Sequence, residues 1–132
     1  MKRRSYLKTM LAAGCGVSAV PAQTTKRNPI VLYVDMQVDA AKEQEMVKNF
    51  HTIFKPAAVK FPGYIDLKIV KLRSALQGSA PAGMNYRFQL TYESEEARQK
   101  WVNSDVHKRV WPTIEHTLTD QKNYTVLLCD AI

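Results

Sequence analysis

Disulfide chemistry is nearly absent from this sequence of 132 residues, which has two cysteines, Cys15 and Cys129. Cys15 lies in an apolar N-terminal stretch, so the remainder has one thiol and no intrachain disulfide open to it. An oxidising compartment is therefore not exploited for stability. Cys129 itself reads as a small hydrophobe buried in an apolar strand. No glycine-rich loop is present to cradle phosphate, and the three histidines, His51, His107 and His116, have no metal-ligand spacing with one another or with acidic residues. No metal, nucleotide or other cofactor is expected. A membrane span needs about 20 consecutive apolar residues. The apolar stretch at residues 9–20 falls short of that and is rich in small residues.

Acidic residues are missing from the first 34 positions, and the formal net charge of +7 is concentrated there. From Gln23 onward, 15 Lys and Arg stand against 12 Asp and Glu, a balance of +3. That balance gives no concentrated basic patch, so nucleic acid is not an expected partner.

What the N-terminus does contain is the anatomy of an export signal: a charged start, an apolar middle and Val20-Pro21-Ala22, which suits a signal peptidase. Arg3-Arg4-Ser5-Tyr6-Leu7-Lys8 closely resembles the twin-arginine pattern. Residues 1–22 are expected to be a removable twin-arginine-type signal peptide, 23–29 a linker and 30–132 one domain. The protein is then periplasmic or extracellular. A lipid anchor at Cys15, within Leu11-Ala12-Ala13-Gly14-Cys15, is the alternative.

Periodicity organises the rest. Ile30, Leu32, Val34, Met36 and Val38 alternate with a mixed second face, the period of a strand. Asp39 is placed to cap a helix from Ala40, in which Met46, Val47, Phe50, Ile53, Phe54, Ala57 and Ala58 share a face. Pro56 is expected to kink or end it, and Phe61-Pro62-Gly63-Tyr64 to turn. In residues 65–72 the apolar parity slips, which points to a bulge or a strand buried on both faces. Residues 74–83 read as a loop, and 85–93 alternate cleanly. Ser94 caps a helical region that Asn103-Ser104-Asp105 interrupts and restarts, and residues 122–130 form the last strand.

The order βαββαβ is that of the ferredoxin-like α+β fold, a four-stranded antiparallel sheet with both helices on one face. The second sheet face then carries Val31, Tyr33, Asp35, Gln37, Arg87, Gln89 and Thr91, a mixture suited to pairing with a second copy of the chain.

The strand, amphipathic helix, Pro62-Gly63-Tyr64 turn and the run from Phe88 through Glu93-Ser94-Glu95-Glu96-Ala97 to Trp101, Ser104 and His107 together resemble the dimeric α+β barrel superfamily. Within it they are most similar to the antibiotic biosynthesis monooxygenase type, with stress-responsive barrel proteins as neighbours. The resemblance spans about residues 30–130. It implies a homodimer joined through the sheet faces, with a pocket between each sheet and its helices. In cofactor-free oxygenases of this kind an electron-rich phenol or its anion reacts with oxygen directly, while the protein binds, deprotonates and excludes water. Members that degrade haem carry an Asn on the first strand, where this chain has Asp35 and Gln37.

His107 is the candidate catalytic residue, since a neutral imidazole can take a proton from a phenol. Trp101 and Trp111 are candidate walls of a small aromatic or apolar ligand's pocket. Their separation by ten residues puts them about 80° apart on a continuous helix. Arg87, Asp35 and Gln89 are candidates to hold a carboxylate or phenolate in the barrel, and an interface ion pair between Arg87 and Asp35 fits equally well. The non-enzymatic alternative is a stress-responsive-type dimer that holds a small apolar ligand.

Overall fold

The structure, a computed structural model, describes residues 28–132. The expected signal at 1–22, the Cys15 anchor site and most of the 23–29 linker lie outside the described residues. Strand β1 (Ile30–Met36) is followed by a 3-10 turn (Ala40–Lys42), helix α1 (Glu43–Asn49), a π-helical turn (Phe50–Phe54) and helix α2 (Lys55–Val59). After β2 (Tyr64–Lys71) and β3 (Tyr86–Tyr92) come α3 (Glu95–Val102), α4 (Asp105–Val110), α5 (Pro112–Glu115) and β4 (Thr125–Asp130). The four strands form one antiparallel sheet in the order β2-β3-β1-β4, the ferredoxin-like topology.

Alternation in β1 and β3 sends Ile30, Leu32, Val34, Met36, Tyr86, Phe88, Leu90 and Tyr92 to the buried face, where they meet Met46, Phe50, Phe54, Trp101 and Ile114 from the helices. Full burial of each large apolar side chain contributes about 1.5–3 kcal/mol. Phe88 packs edge-on against Phe50, with ring centroids 4.9 Å apart.

The helices start where polar side chains satisfy free N–H groups. Asp39 accepts from Ala41 N–H at 2.9 Å, Ser94 from Ala97 N–H at 3.2 Å and Ser104 from His107 N–H at 3.1 Å. Pro56 does not end the first helix. The irregularity sits just before it, where Lys55 N–H reaches back five residues to Phe50 O. Widening the turn there accommodates a ring that cannot donate to the helical ladder.

The parity slip expected in β2 is a register shift between Tyr64 and Asp66. Leu67 is fully buried, whereas Ile65 and Val70 are exposed. Gly63 precedes the strand at φ +91°, and a Cβ there would lie 2.6 Å from Ala97 Cβ. Only glycine lets the turn sit this close to the start of α3.

One expectation is corrected at β4. Cys129 is exposed rather than buried. β4 is an edge strand, and on its helix-facing side Val126 and Leu128 remain 49% and 51% exposed. Among the described residues no helix is long and apolar enough to cross a membrane.

Candidate functional site

A cavity of about 180 Å³ opens between the helix-facing side of the sheet and the helices. Leu32, Val34, Leu67, Phe88, Leu90 and Val126 form its floor, and Phe54, Trp101, Val102, Trp111 and Tyr124 its walls. Two polar groups interrupt the apolar lining, His107 and Arg98. Among the described residues no cluster of His, Cys, Asp and Glu could hold a metal ion.

Three elements bring the aromatic groups together. The π-helical turn places Phe54, whose ring lies 5.8 Å from those of both Trp101 and Trp111. Trp101 lies in the last turn of α3 and His107 belongs to α4. One hydroxyl joins them, because Ser104 Oγ donates to Trp101 O at 2.7 Å and accepts from His107 N–H at 3.1 Å. The His107 ring then meets Trp101 edge-on at 5.1 Å and stacks with Trp111 at 6.1 Å and 12°. Trp111 is fixed in turn by its indole N–H, which donates to Glu115 Oε2 at 3.3 Å. The Tyr124 hydroxyl donates to the same oxygen at 3.2 Å.

Burial among these rings lowers the His107 pKa to about 4, with a further contribution from the positive charge of Arg98. The imidazole is therefore neutral at physiological pH. Burial raises the Tyr124 phenol. Arg98 donates from Nε and Nη2 to the two Glu95 carboxylate oxygens, each at 2.7 Å, and this pairing holds Glu95 below the usual carboxylate range.

The structure gathers His107, Trp101 and Trp111 at one cavity and leaves Arg87, Asp35 and Gln89 outside it, on the opposite sheet face. There Arg87 Nε and Nη2 donate to Asp35 Oδ1 and Oδ2 at 2.6 and 3.0 Å, directly across the β1–β3 ladder. The Arg87 guanidinium also lies 4.7 Å from the Tyr33 ring centre. His116 sits apart from the cavity, with Nε2 2.6 Å from Glu45 Oε2 and Nδ1 2.9 Å from Pro112 O. Sequence reasoning missed Arg98, Phe54 and Tyr124. Arg98 three residues after Glu95 has the spacing of an ordinary surface ion pair, and only its place one turn before Trp101 signalled otherwise.

No family model matches the sequence, and neither does any curated protein. Solved structures do. The chain is similar to a dimeric ferredoxin-like protein of unknown function from Jannaschia sp. CCS1, with TM-score 0.65 and 14% identity over 78% of this chain and 99% of that one. It is similar to a candidate antibiotic biosynthesis monooxygenase from Caulobacter crescentus CB15, with TM-score 0.63 and 19% identity over 80% and 92%. It is similar also to SnoaB, a cofactor-independent oxygenase from Streptomyces nogalater, with TM-score 0.62 and 10% identity over 80% and 94%. The chain thus has the ferredoxin-like α+β fold, with a four-stranded antiparallel sheet, that antibiotic biosynthesis monooxygenase-like proteins also carry.

Proposed function

We propose that residues 30–132 act as a homodimeric, cofactor-independent oxygenase on an aromatic or quinone-like small molecule, and that residues 1–22 serve as an export signal. The observation that carries the first part is the cavity itself, aromatic on its walls and opening beside a neutral His107. The similarity in fold to a cofactor-independent oxygenase supports this reaction class. With no cofactor, every electron that reduces oxygen comes from the substrate, so the substrate is an electron-rich, reduced ring. Trp101, Trp111 and Phe54 hold that ring and exclude water. His107 accepts a hydrogen bond or proton from its hydroxyl.

A second reading, a non-catalytic dimer that retains a small ligand, is favoured by one property of the same residue. An imidazole whose pKa lies at about 4 is a weak base for an ordinary phenol. Oxygen uptake with a panel of hydroquinones separates the two. Uptake that disappears in a folded, dimeric His107→Ala variant supports the oxygenase. Inactivity across the panel together with tight retention of ligand supports the binder. N-terminal sequencing of the exported protein tests the signal, and a mature chain starting at Gln23 is the expected result.

A further inference from the structure

Arg98 is a cation that neither reading uses. It lines the cavity with 16% of its side chain exposed. Glu95 occupies Nε and one N–H of Nη2. A guanidinium has five N–H donors, so Nη1 and the second N–H of Nη2 are left with no hydrogen bond among the described residues. No carboxylate lines the cavity, and the other titratable groups on its wall, His107 and Tyr124, are neutral at physiological pH. Arg98 is therefore the one formal charge on an otherwise apolar and aromatic lining. Charge-assisted hydrogen bonds from a guanidinium to an anionic oxygen are strong, and stronger still beside apolar walls that keep water away. Size fits a single ring. An apolar cavity of roughly 150 Å³ accommodates benzene, so about 180 Å³ gives room for one substituted ring.

We infer that the cavity selects a one-ring aromatic ligand bearing an anionic oxygen, phenolate or carboxylate, held on the free edge of Arg98. The ring lies against Trp101 and Trp111, beside the neutral His107. This inference rests on the cavity being a ligand site and narrows its substrate class. It also places deprotonation of a phenol under the influence of a fixed positive charge, which relieves His107 of acting as a strong base.

The test uses three probes with the intact protein: para-nitrophenol, whose colour reports its ionisation, benzoate, and toluene as the neutral control. Bound para-nitrophenol is expected to ionise about one unit or more below its solution value. Arg98→Met abolishes that shift and weakens benzoate about tenfold to a hundredfold, while toluene binding is unchanged and certifies an intact cavity. Arg98→Lys restores part of the benzoate affinity. An Arg98-dependent effect confined to para-nitrophenol assigns a phenolate, and one confined to benzoate a carboxylate. Equal benzoate binding by wild type and Arg98→Met together with an unshifted para-nitrophenol overturns the inference while leaving the oxygenase reading standing. Arg98-dependent anion binding without oxygen uptake from any hydroquinone supports the inference and removes the oxygenase. Failure of all three probes to bind overturns both.

Discussion

At the scale of single residues, two histidines of opposite behaviour set the acid response. His107 is buried neutral, with its pKa lowered from the ordinary 6.5 to about 4. Between those values the unfolded chain binds the proton and the folded chain does not, so stability falls as pH drops from 6.5 toward 4. His107→Phe is expected to remove about 2 kcal/mol of that acid sensitivity, after allowance for partial solvent access. Urea titrations at pH 7 and pH 4.5 measure it, and an unchanged pH slope contradicts the assignment. His116 runs the other way. Its pKa is raised, first by the Pro112 carbonyl and then by Glu45, so its contribution is complete at acid pH and is lost as pH rises through the raised pKa. Imidazole proton NMR should show His116 titrating above 6.5 and His107 far below.

The elements depend on a few small residues. Ser104→Ala removes both the cap of α4 and the hydroxyl that ties it to Trp101. A loss of about 1 kcal/mol in thermal or urea unfolding is expected, together with weaker ligand binding because His107 loses its anchor. Gly63→Ala is more severe: the positive φ and the contact with Ala97 predict about 2–4 kcal/mol of destabilisation in urea unfolding. Adding Ala97→Gly relieves the contact and recovers only part. Much of this level was legible in the sequence. The alternation of β1 and β3, the Ser94 and Ser104 caps and the Pro62-Gly63 turn are local signals with local causes. The relation between Trp101 and Trp111 was not legible from a continuous helix. α3 stops at Val102, α4 restarts at Asp105 and α5 begins at Pro112, and these breaks bring two side chains about 80° apart on an ideal helix to one cavity. The π-helical turn that aims Phe54 was equally hidden, since its apolar spacing is that of an ordinary helix. Arg98 was concealed because its partner Glu95 is three residues away, whereas its burial is set by elements far along the chain.

For the whole molecule, the sheet face opposite the cavity is the proposed meeting place of two protomers. It carries the Arg87–Asp35 pair, the half-buried Tyr33 and, on β4, the exposed Leu127. Leu127→Lys sets a charge on the β4 side of that surface, beside Tyr33, without touching the cavity lining. Size-exclusion chromatography with light scattering is expected to show a dimer for the unaltered protein and a monomer for the variant, both with unchanged far-ultraviolet circular dichroism. A variant that stays dimeric places the interface elsewhere. The fold class and the polar character of this face were readable in advance, because alternation assigns each residue of β1 and β3 to one side. The exposure of β4 was not, since its uniformly apolar run has no second period to show which side the helices leave uncovered.

The same strand has a further consequence. β4 pairs only with β1, so the backbone groups along its outer edge have no strand partner among the described residues, and Val126 to Leu128 lie beside them. An apolar edge of this kind is a template for another chain's strand, with no charge of its own in the Val-Leu-Leu-Cys run to turn that chain away. Aggregation of the isolated protein should therefore begin at β4, and a lysine placed in that run is the economical way to keep concentrated samples clear.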